Sequence, residues 1–573
     1  MKRLFFSTII CIGIVSILTI FFFLYSLLPL ASQHTETTRL NSPDETANYF
    51  FSATFAKEGV LSYKEPFLEE SKGYIHPRSM TASPRGDTIV PVAFLGMPLI
   101  HGVIAKLFGM RSILFVTPFV GVLASLFFYL LLIRIFPRFV ACTATLLFLA
   151  HPAYWYNANR AMLPNTLFVD FLIIGAALTI IGLSQSKIQE KNSMRIRSIL
   201  FSLLGGLCTG LALMIRLSEA IWVVGVYLFL GIILMRRIAW RRTVVWAVAG
   251  AVPIGVLLYW NLRTYGHPLF FGYQTGDILP AVQAFDNAID VVRTFDGRRL
   301  NELSENIQSV GNFIFRYLMP FGFHPQLFLA NGKEYLIKLF WWLSIPSVIG
   351  FLYSLRSGWK ELITKHFSPQ ILYSIVVVGI MSWLVPYYGS WEFYDNITRE
   401  ATIGNSYVRY WLMIYCLSTP FVAMTLHRFL RYAHGVVRSI GCALIVGVLM
   451  WFSFQSVLWQ SEESIFTVAK NMGVYEHIAQ NVIALTPQGS VIVSPRSDKI
   501  FFPNRKVAQQ MDDFREISLL APLAAKTSVY YYGFWDQKTA AFVTKKYFSP
   551  YRLKLEFVSD ITEKEFLYKV VPL

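Results

Sequence analysis

The sequence predicts a polytopic α-helical membrane protein that ends in a small α/β domain. Three observations carry that prediction. Hydrophobic residues make up 55% of the 573-residue chain and charged residues only 15%, where a soluble domain holds roughly 25% charged. Apolar runs of bilayer-crossing length, about 17–25 residues, recur along most of the chain. Most of the basic excess gathers in short stretches between those runs.

The net charge of +17 therefore speaks of membrane orientation, because Lys and Arg in short loops set which side stays in the cytoplasm. It is no argument for a nucleic-acid partner. Cys11, Cys142, Cys208, Cys416 and Cys442 all lie in apolar runs and form no Cys-x-x-Cys pair. They read as small packing residues, with neither a disulfide framework nor a zinc site. No cofactor is expected, and a divalent metal is left open.

In chain order, the first apolar run is Leu4 to Leu30. It is too long for the apolar region of a signal peptide, and Leu30-Ala-Ser-Gln33 is a poor cleavage site. An uncleaved span with a cytoplasmic N-terminus is expected. A polar stretch follows to Thr88, holding Asp44, Glu45, Glu65, Glu69, Glu70, His76, Arg78, Arg85 and Asp87. The next apolar segment, 89–108, is interrupted by Pro91, Gly96, Pro98 and Gly102. Spans are expected at about 112–133, 139–156, 162–184, 199–216, 220–235, 243–260, 336–354, 370–388, 409–426 and 439–458.

Segment 89–108 has two readings, a re-entrant or juxtamembrane helix and a kinked ordinary span. Parity separates them. The basic groups are Arg134 with Arg138, Lys187 to Arg197, Arg236 to Arg242, Arg356 to Lys365, and Arg428 to Arg438. They share the side of Lys2 and Arg3 only if 89–108 does not cross. The expectation is thus 11 transmembrane helices plus one re-entrant helix, whose irregular backbone is tolerated when buried in protein. A transmembrane domain would occupy 1–459, with outer loops at 31–111 and 261–335 and short outer turns at 154–160 and 216–219.

Residues 460–573 are less apolar and would form the extracytoplasmic domain. Val474 to Leu485 reads as a helix. Ser490–Ser494 and Ser528–Tyr532 read as short buried strands, and 553–559 with 566–571 as a terminal hairpin.

Chemistry concentrates in the polar parts. Asn41-Ser-Pro-Asp44-Glu45 places paired carboxylates shortly after the first span. Asp44 is the candidate general base there, with Glu45 beside it. The same residues also spell a helix start, with Ser42 as N-cap, Pro43 at the first position and acids at the positive end of the dipole. Arg160, Arg216 with Glu219, and Arg409 sit at span ends on the outer side of the expected topology. Each has a plain reading as snorkelling to headgroups, and Arg216 with Glu219 as an i,i+3 pair. Taken together, the arginines match the anionic oxygens of a lipid-linked phosphate. His76, Arg78 and Arg85 are further candidates, and Trp391, Tyr394 or Tyr273 offer rings that could stack on a sugar. The chain has no Walker loop, no Gly-x-Ser-x-Gly elbow and no metal-ligand spacing.

The order of these features resembles the GT-C glycosyltransferases that use polyprenyl-phosphate sugars, such as protein O-mannosyltransferases and lipid A aminoarabinose transferases. Five stretches of residues 1–430 carry the resemblance: Pro43-Asp44-Glu45 with Tyr49; Pro91 to Pro98 through Phe108-Gly109; Gly205 to Arg216; Gly266 to Tyr273; and Arg409-Tyr410. Asn165 departs from the pattern, standing where many members carry an acid. The second acidic site of the first loop is Glu65, Glu69 or Glu70. Tyr532-Gly-Phe-Trp-Asp536 has the wrong order for the Trp-Trp-Asp motif of oligosaccharyltransferases.

The resemblance implies transfer of a sugar from a polyprenyl-phosphate donor to a glycan, lipid or protein acceptor on the outer face. Asp44 and Glu45 would be the catalytic pair. His76, Arg78, Arg160, Arg216, Glu219, Tyr273, Arg409 and Tyr410 would bind the donor. Two other classes remain: a transporter or flippase of an envelope lipid or saccharide, and a non-catalytic assembly or receptor protein.

Overall fold

The computed structural model describes residues 2–32, 38–84, 86–183, 192–272, 319–359, 367–393, 400–432, 434–509 and 514–573. Helices dominate, as the apolar periodicity demands. The chain divides into two compact units, one of Met1–Leu27, Thr117–Val256 and Gly276–Thr467, the other of Leu28–Val116, Leu257–Thr275 and Val468–Leu573.

The first unit is a bundle of apolar helices. Among the described residues seven helices are long and apolar enough to cross a membrane: Met110–Leu132, Pro164–Leu183, Arg195–Ile215, Leu217–Arg237, Trp240–Tyr265, Pro369–Gly389 and Gly435–Leu458. An eighth arises if Pro325–Lys338 and Trp341–Ser357, bent by 100°, count as one span. The expected span at 336–354 is therefore interrupted at Leu339–Phe340. The span expected at 139–156 is likewise two helices, Arg138–Leu149 and Pro152–Asn159. Pro152 forces the break, since its ring disfavours helical geometry at His151 and it has no N–H to give. Lys2–Tyr25 and Leu412–Phe429 supply the remaining helices at expected spans.

Close packing in this bundle rests on small residues. A Cβ added at Gly206 would lie 2.1 Å from the Trp246 carbonyl oxygen, and one at Gly210 would lie 2.2 Å from that of Gly250. The Gly-rich stretch thus lets Arg195–Ile215 and Trp240–Tyr265 meet backbone to backbone, the usual route to tight helix pairs in lipid. That contact fixes the helix whose end carries Arg216.

The second unit gathers the first loop with the C-terminal residues. Pro43–Glu58 and Gly96–Phe108 are its principal loop helices. Gly102 lets them touch, since a Cβ there would fall 2.9 Å from the Ser52 carbonyl oxygen. Gly96–Phe108 has 13 residues and rises about 20 Å, short of the ~30 Å hydrocarbon core. Ahead of it, β1 (Met80–Ala82) and β2 (Ile89–Pro91) pair antiparallel.

The C-terminal part of this unit carries a five-stranded mixed sheet. In spatial order its strands are β4 (Lys506–Gln509), β3 (Val491–Ser494), β5 (Val529–Gly533), β7 (Glu565–Pro572) and β6 (Leu553–Thr562). β3 and β5 are parallel and buried at every residue, as continuous apolar strands should be when both faces are covered. β6 and β7 form the antiparallel terminal hairpin at the edge. The helix, both central strands and the hairpin all appear where the sequence places them. β4 was not anticipated.

Candidate active site

In the second unit the acidic pair starts the Pro43–Glu58 helix as its local sequence dictates. Ser42 is the N-cap, and Pro43 takes the first helical position. The Ser42 hydroxyl accepts from the Glu45 amide at 3.3 Å, and the Ser42 amide donates to Glu45 Oε2 at 3.0 Å. This reciprocal capping box satisfies two helix-end donors. It also separates the two acids. Glu45 is buried and engaged in the cap, whereas Asp44 is half-buried. Asp44 Oδ1 accepts from the Ser79 hydroxyl at 2.5 Å.

Arg78, next to Ser79, is clamped by a carboxylate that sequence reasoning missed. Its amide donates to Asp498 Oδ2 at 2.7 Å and its Nε to Asp498 Oδ1 at 2.8 Å. Its Nη2 also reaches the Arg496 carbonyl at 2.5 Å. His76 lies two residues before Arg78, with Nδ1 2.9 Å from the Pro77 carbonyl oxygen. Burial pushes its imidazole below the usual range, opposed by that carbonyl and by Asp498.

Among the other loop acids, Glu65 is buried against Lys506 Nζ at 3.0 Å, and burial raises its carboxyl despite that partner. Glu70 is paired with Lys526. Arg85 lies outside the described residues.

In the first unit, Arg216, Glu219, Arg409 and Tyr410 come together around two tyrosine rings. Arg216 donates from Nε and Nη2 to Glu219 Oε1, at 3.1 and 2.8 Å, and from Nη2 to the Tyr388 hydroxyl at 2.8 Å. Tyr388 donates to Glu219 Oε1 at 2.5 Å, and Trp222 Nε1 to Oε2 at 2.6 Å. Both oxygens of Glu219 are thus taken by protein donors, while Arg216 Nη1 makes no hydrogen bond among the described residues.

The Tyr410 ring stacks on Tyr388 with centroids 4.3 Å apart. The guanidinium carbons of Arg216 and Arg409 lie 5.0 and 5.2 Å from its centre. Two cations on one ring are favourable individually through the quadrupole and repel each other. Such a pair suits an anionic ligand. Arg160 is buried at the end of Pro152–Asn159, its Nη1 donating to Tyr156 at 2.9 Å. Tyr273 and Tyr394 lie outside the described residues.

Asn165 donates from Nδ2 to the Arg409 carbonyl at 3.1 Å and so holds the backbone at that arginine. Asp170 was also missed. Its side chain is wholly buried in Pro164–Leu183, with the Tyr154 hydroxyl donating to Oδ1 at 2.5 Å and no hydrogen-bond partner for Oδ2 among the described residues. A lone acid within an apolar run is the signal that could have found it. Nothing local in the sequence flags Ser79, Asp498 or Tyr388. Among the described residues, no group of three or more His, Cys, Asp or Glu is placed to hold a metal ion.

No protein-family model and no curated protein matches the sequence. Solved structures do match. The Archaeoglobus fulgidus oligosaccharyltransferase tethered with an acceptor peptide aligns with a TM-score of 0.53 at 13% identity, over 91% of this chain and 69% of that one. AglB of the same organism, in complex with an inhibitory peptide and a dolichol-phosphate, gives 0.51 at 12% over the same shares. ArnT from Cupriavidus metallidurans bound to undecaprenyl phosphate gives 0.50 at 12%, over 98% of each chain. What this chain shares with them is the fold.

Proposed function

From that fold and the side chains it carries, we propose that the protein is an integral membrane glycosyltransferase. It transfers a sugar from a polyprenyl-phosphate donor to a glycan, lipid or protein acceptor. The observation that carries the proposal is the Arg216–Glu219–Tyr388–Tyr410–Arg409 cluster at helix ends, where a lipid headgroup phosphate would lie. Its support is that solved relatives of this fold hold dolichol-phosphate or undecaprenyl phosphate.

In this reading Asp44 is the base. Its carboxylate takes the proton from an acceptor O–H or N–H as that atom attacks the anomeric carbon. The bond from the sugar to the lipid phosphate breaks, and its electron pair leaves on the phosphate oxygen. Arg216 and Arg409 stabilise the charge that develops there, with Arg160 and the His76–Arg78 stretch as further donor contacts. Glu45 caps the helix that presents Asp44, and Glu219 holds Arg216. By charge parity the N-terminus is cytoplasmic, Gly96–Phe108 does not cross, and the sheet domain lies outside. The reaction then occupies the outer face.

The test uses the full chain in lipid nanodiscs. Undecaprenyl-phosphate-linked sugars are supplied with envelope lipids and glycans, and mass spectrometry follows released undecaprenyl phosphate and glycosylated acceptor. Turnover by the wild type and a loss of about 10²–10⁴-fold in Asp44→Asn is expected. Turnover unchanged by that substitution refutes Asp44 as the base.

The transporter or flippase reading draws on Asp170, a carboxylate buried within a span-length helix, the kind of residue that marks ion and proton pathways. Movement of labelled lipid-linked sugar across vesicles, lost in Asp170→Asn and indifferent to Asp44→Asn, would favour it.

A further inference from the structure

We propose that the C-terminal domain takes part in the reaction through Asp498, which positions Asp44 by way of Arg78 and Ser79. The proposal rests on the reading of Asp44 as the base.

Four observations inside the second unit support it. The Asp498 side chain is 1% exposed and takes both the backbone amide and the guanidinium of Arg78. One carboxylate therefore fixes where residue 78 sits and how it is turned. Ser79, the next residue, has φ +63, a left-handed conformation that side-chain-bearing residues seldom hold unless their surroundings impose it. The surroundings here act from both sides. Asp498 grips Arg78 before it, and the Val92 amide donates to the Ser79 carbonyl at 3.1 Å. The outcome of this constraint is the aim of one hydroxyl, which donates to Asp44 at 2.5 Å.

The same C-terminal segment also holds the other arm of the loop. Lys499 donates to the Asn41 carbonyl. Arg39 donates to the Phe502 carbonyl at 2.9 Å and to Asn504 Oδ1 at 2.6 Å. Residues 498–504 thus grip the chain at 39–41 and at 78, before and after Asp44 in sequence. A domain that only shielded the site would have no need to grip both arms, nor to turn Ser79 toward the acid. A hydroxyl that donates to a carboxylate holds one of its oxygens in place. The carboxylate is then held in a fixed direction, as a base requires.

The experiment reads Asp44 directly. The full-length protein in nanodiscs is treated with a hydrophobic carbodiimide, which reacts with carboxyl groups, at one mildly acidic pH. Peptide mass spectrometry gives the rate of Asp44 modification. Ser79→Gly removes the hydroxyl and tolerates the left-handed backbone. Asp498→Asn keeps the shape of the clamp and removes its charge. Both should speed the modification severalfold, because Asp44 Oδ1 loses the hydroxyl that covers it, and Arg78→Lys should speed it by less. If Asp498→Asn does not fold, Arg78→Lys stands in for it.

Where the wild type turns over undecaprenyl-phosphate-linked sugar, Ser79→Gly should lower kcat about tenfold with KM for the donor unchanged. A rate of Asp44 modification that Ser79→Gly and the clamp variant both leave unchanged overturns the proposal. A purely structural clamp gives that result, with a lower melting temperature alone. Because labelling does not depend on turnover, a changed labelling rate in a protein that transfers no sugar would refute the transferase reading and leave the Asp498–Asp44 link standing.

Discussion

At the scale of single residues, adjacent side chains of one type are given different work by their partners. Asp44 and Glu45 are neighbours, yet only Glu45 closes the capping box. Glu45→Gln retains an N3 partner for Ser42 and should leave the melting temperature nearly unchanged, whereas Glu45→Ala loses the hydrogen bond to the Ser42 amide and should cost about 0.5–1.5 kcal/mol, read by thermal unfolding in detergent. Asp44→Asn should unfold like the wild type and lose about 10²–10⁴-fold in transfer. His76 carries a pH dependence. Its burial lowers the folded-state value below the ~6.5 of a free imidazole. As pH falls through that value, the unfolded chain takes up a proton that the folded chain resists, so stability declines on acidification. Melting temperatures at neutral and mildly acidic pH should converge in His76→Gln relative to the wild type.

At the scale of elements, the determinants are breaks and close approaches. Local chemistry explains Pro43–Glu58 completely: an N-cap, a proline at the first turn, acids next, and Gly59 in a left-handed cap at the end. Local chemistry also explains why the expected span at 139–156 is two helices, because Pro152 cannot continue the first. It does not foresee the 100° bend between Pro325–Lys338 and Trp341–Ser357, where no proline stands at the break. Gly210 was legible as part of a Gly-rich span. Its purpose, contact with the Gly250 carbonyl, needed the second helix. Gly210→Leu should push the two helices apart and cost more than the ~1–3 kcal/mol typical of overpacking. Loss of folded protein in size-exclusion chromatography checks it.

At the scale of the whole molecule, two properties can be tested without knowing the sugar. Undecaprenyl phosphate at about 100 times its Kd should stabilise the wild type by ~2.7 kcal/mol, and Arg216→Ala should abolish most of that shift. Orientation can be read in a cysteine-free background. With a membrane-impermeant maleimide on intact cells, Glu556→Cys, on the exposed face of β6, should label. Arg237→Cys, in a basic loop, should stay protected until the membrane is opened. The reverse pattern would overturn the parity argument and, with it, chemistry on the outer face.

The sequence by itself determined the class: a helical membrane protein, its apolar runs, the helix that begins at Pro43, and the sheet domain's two central strands and hairpin. These follow from hydropathy, capping and periodicity, which act over a few residues and leave their mark in adjacent letters. It also picked out Arg216, Glu219, Arg409 and Tyr410, because charged and aromatic residues at the ends of apolar runs stand out. Only the tertiary structure decided their partners. Tyr388 comes to Arg216 from 172 positions away, and Asp498 comes to Arg78 from 420. A hydrogen bond is directional and spans about 3 Å, so its choice of partner depends on where the folded backbone carries each group, and no window of sequence contains that distance.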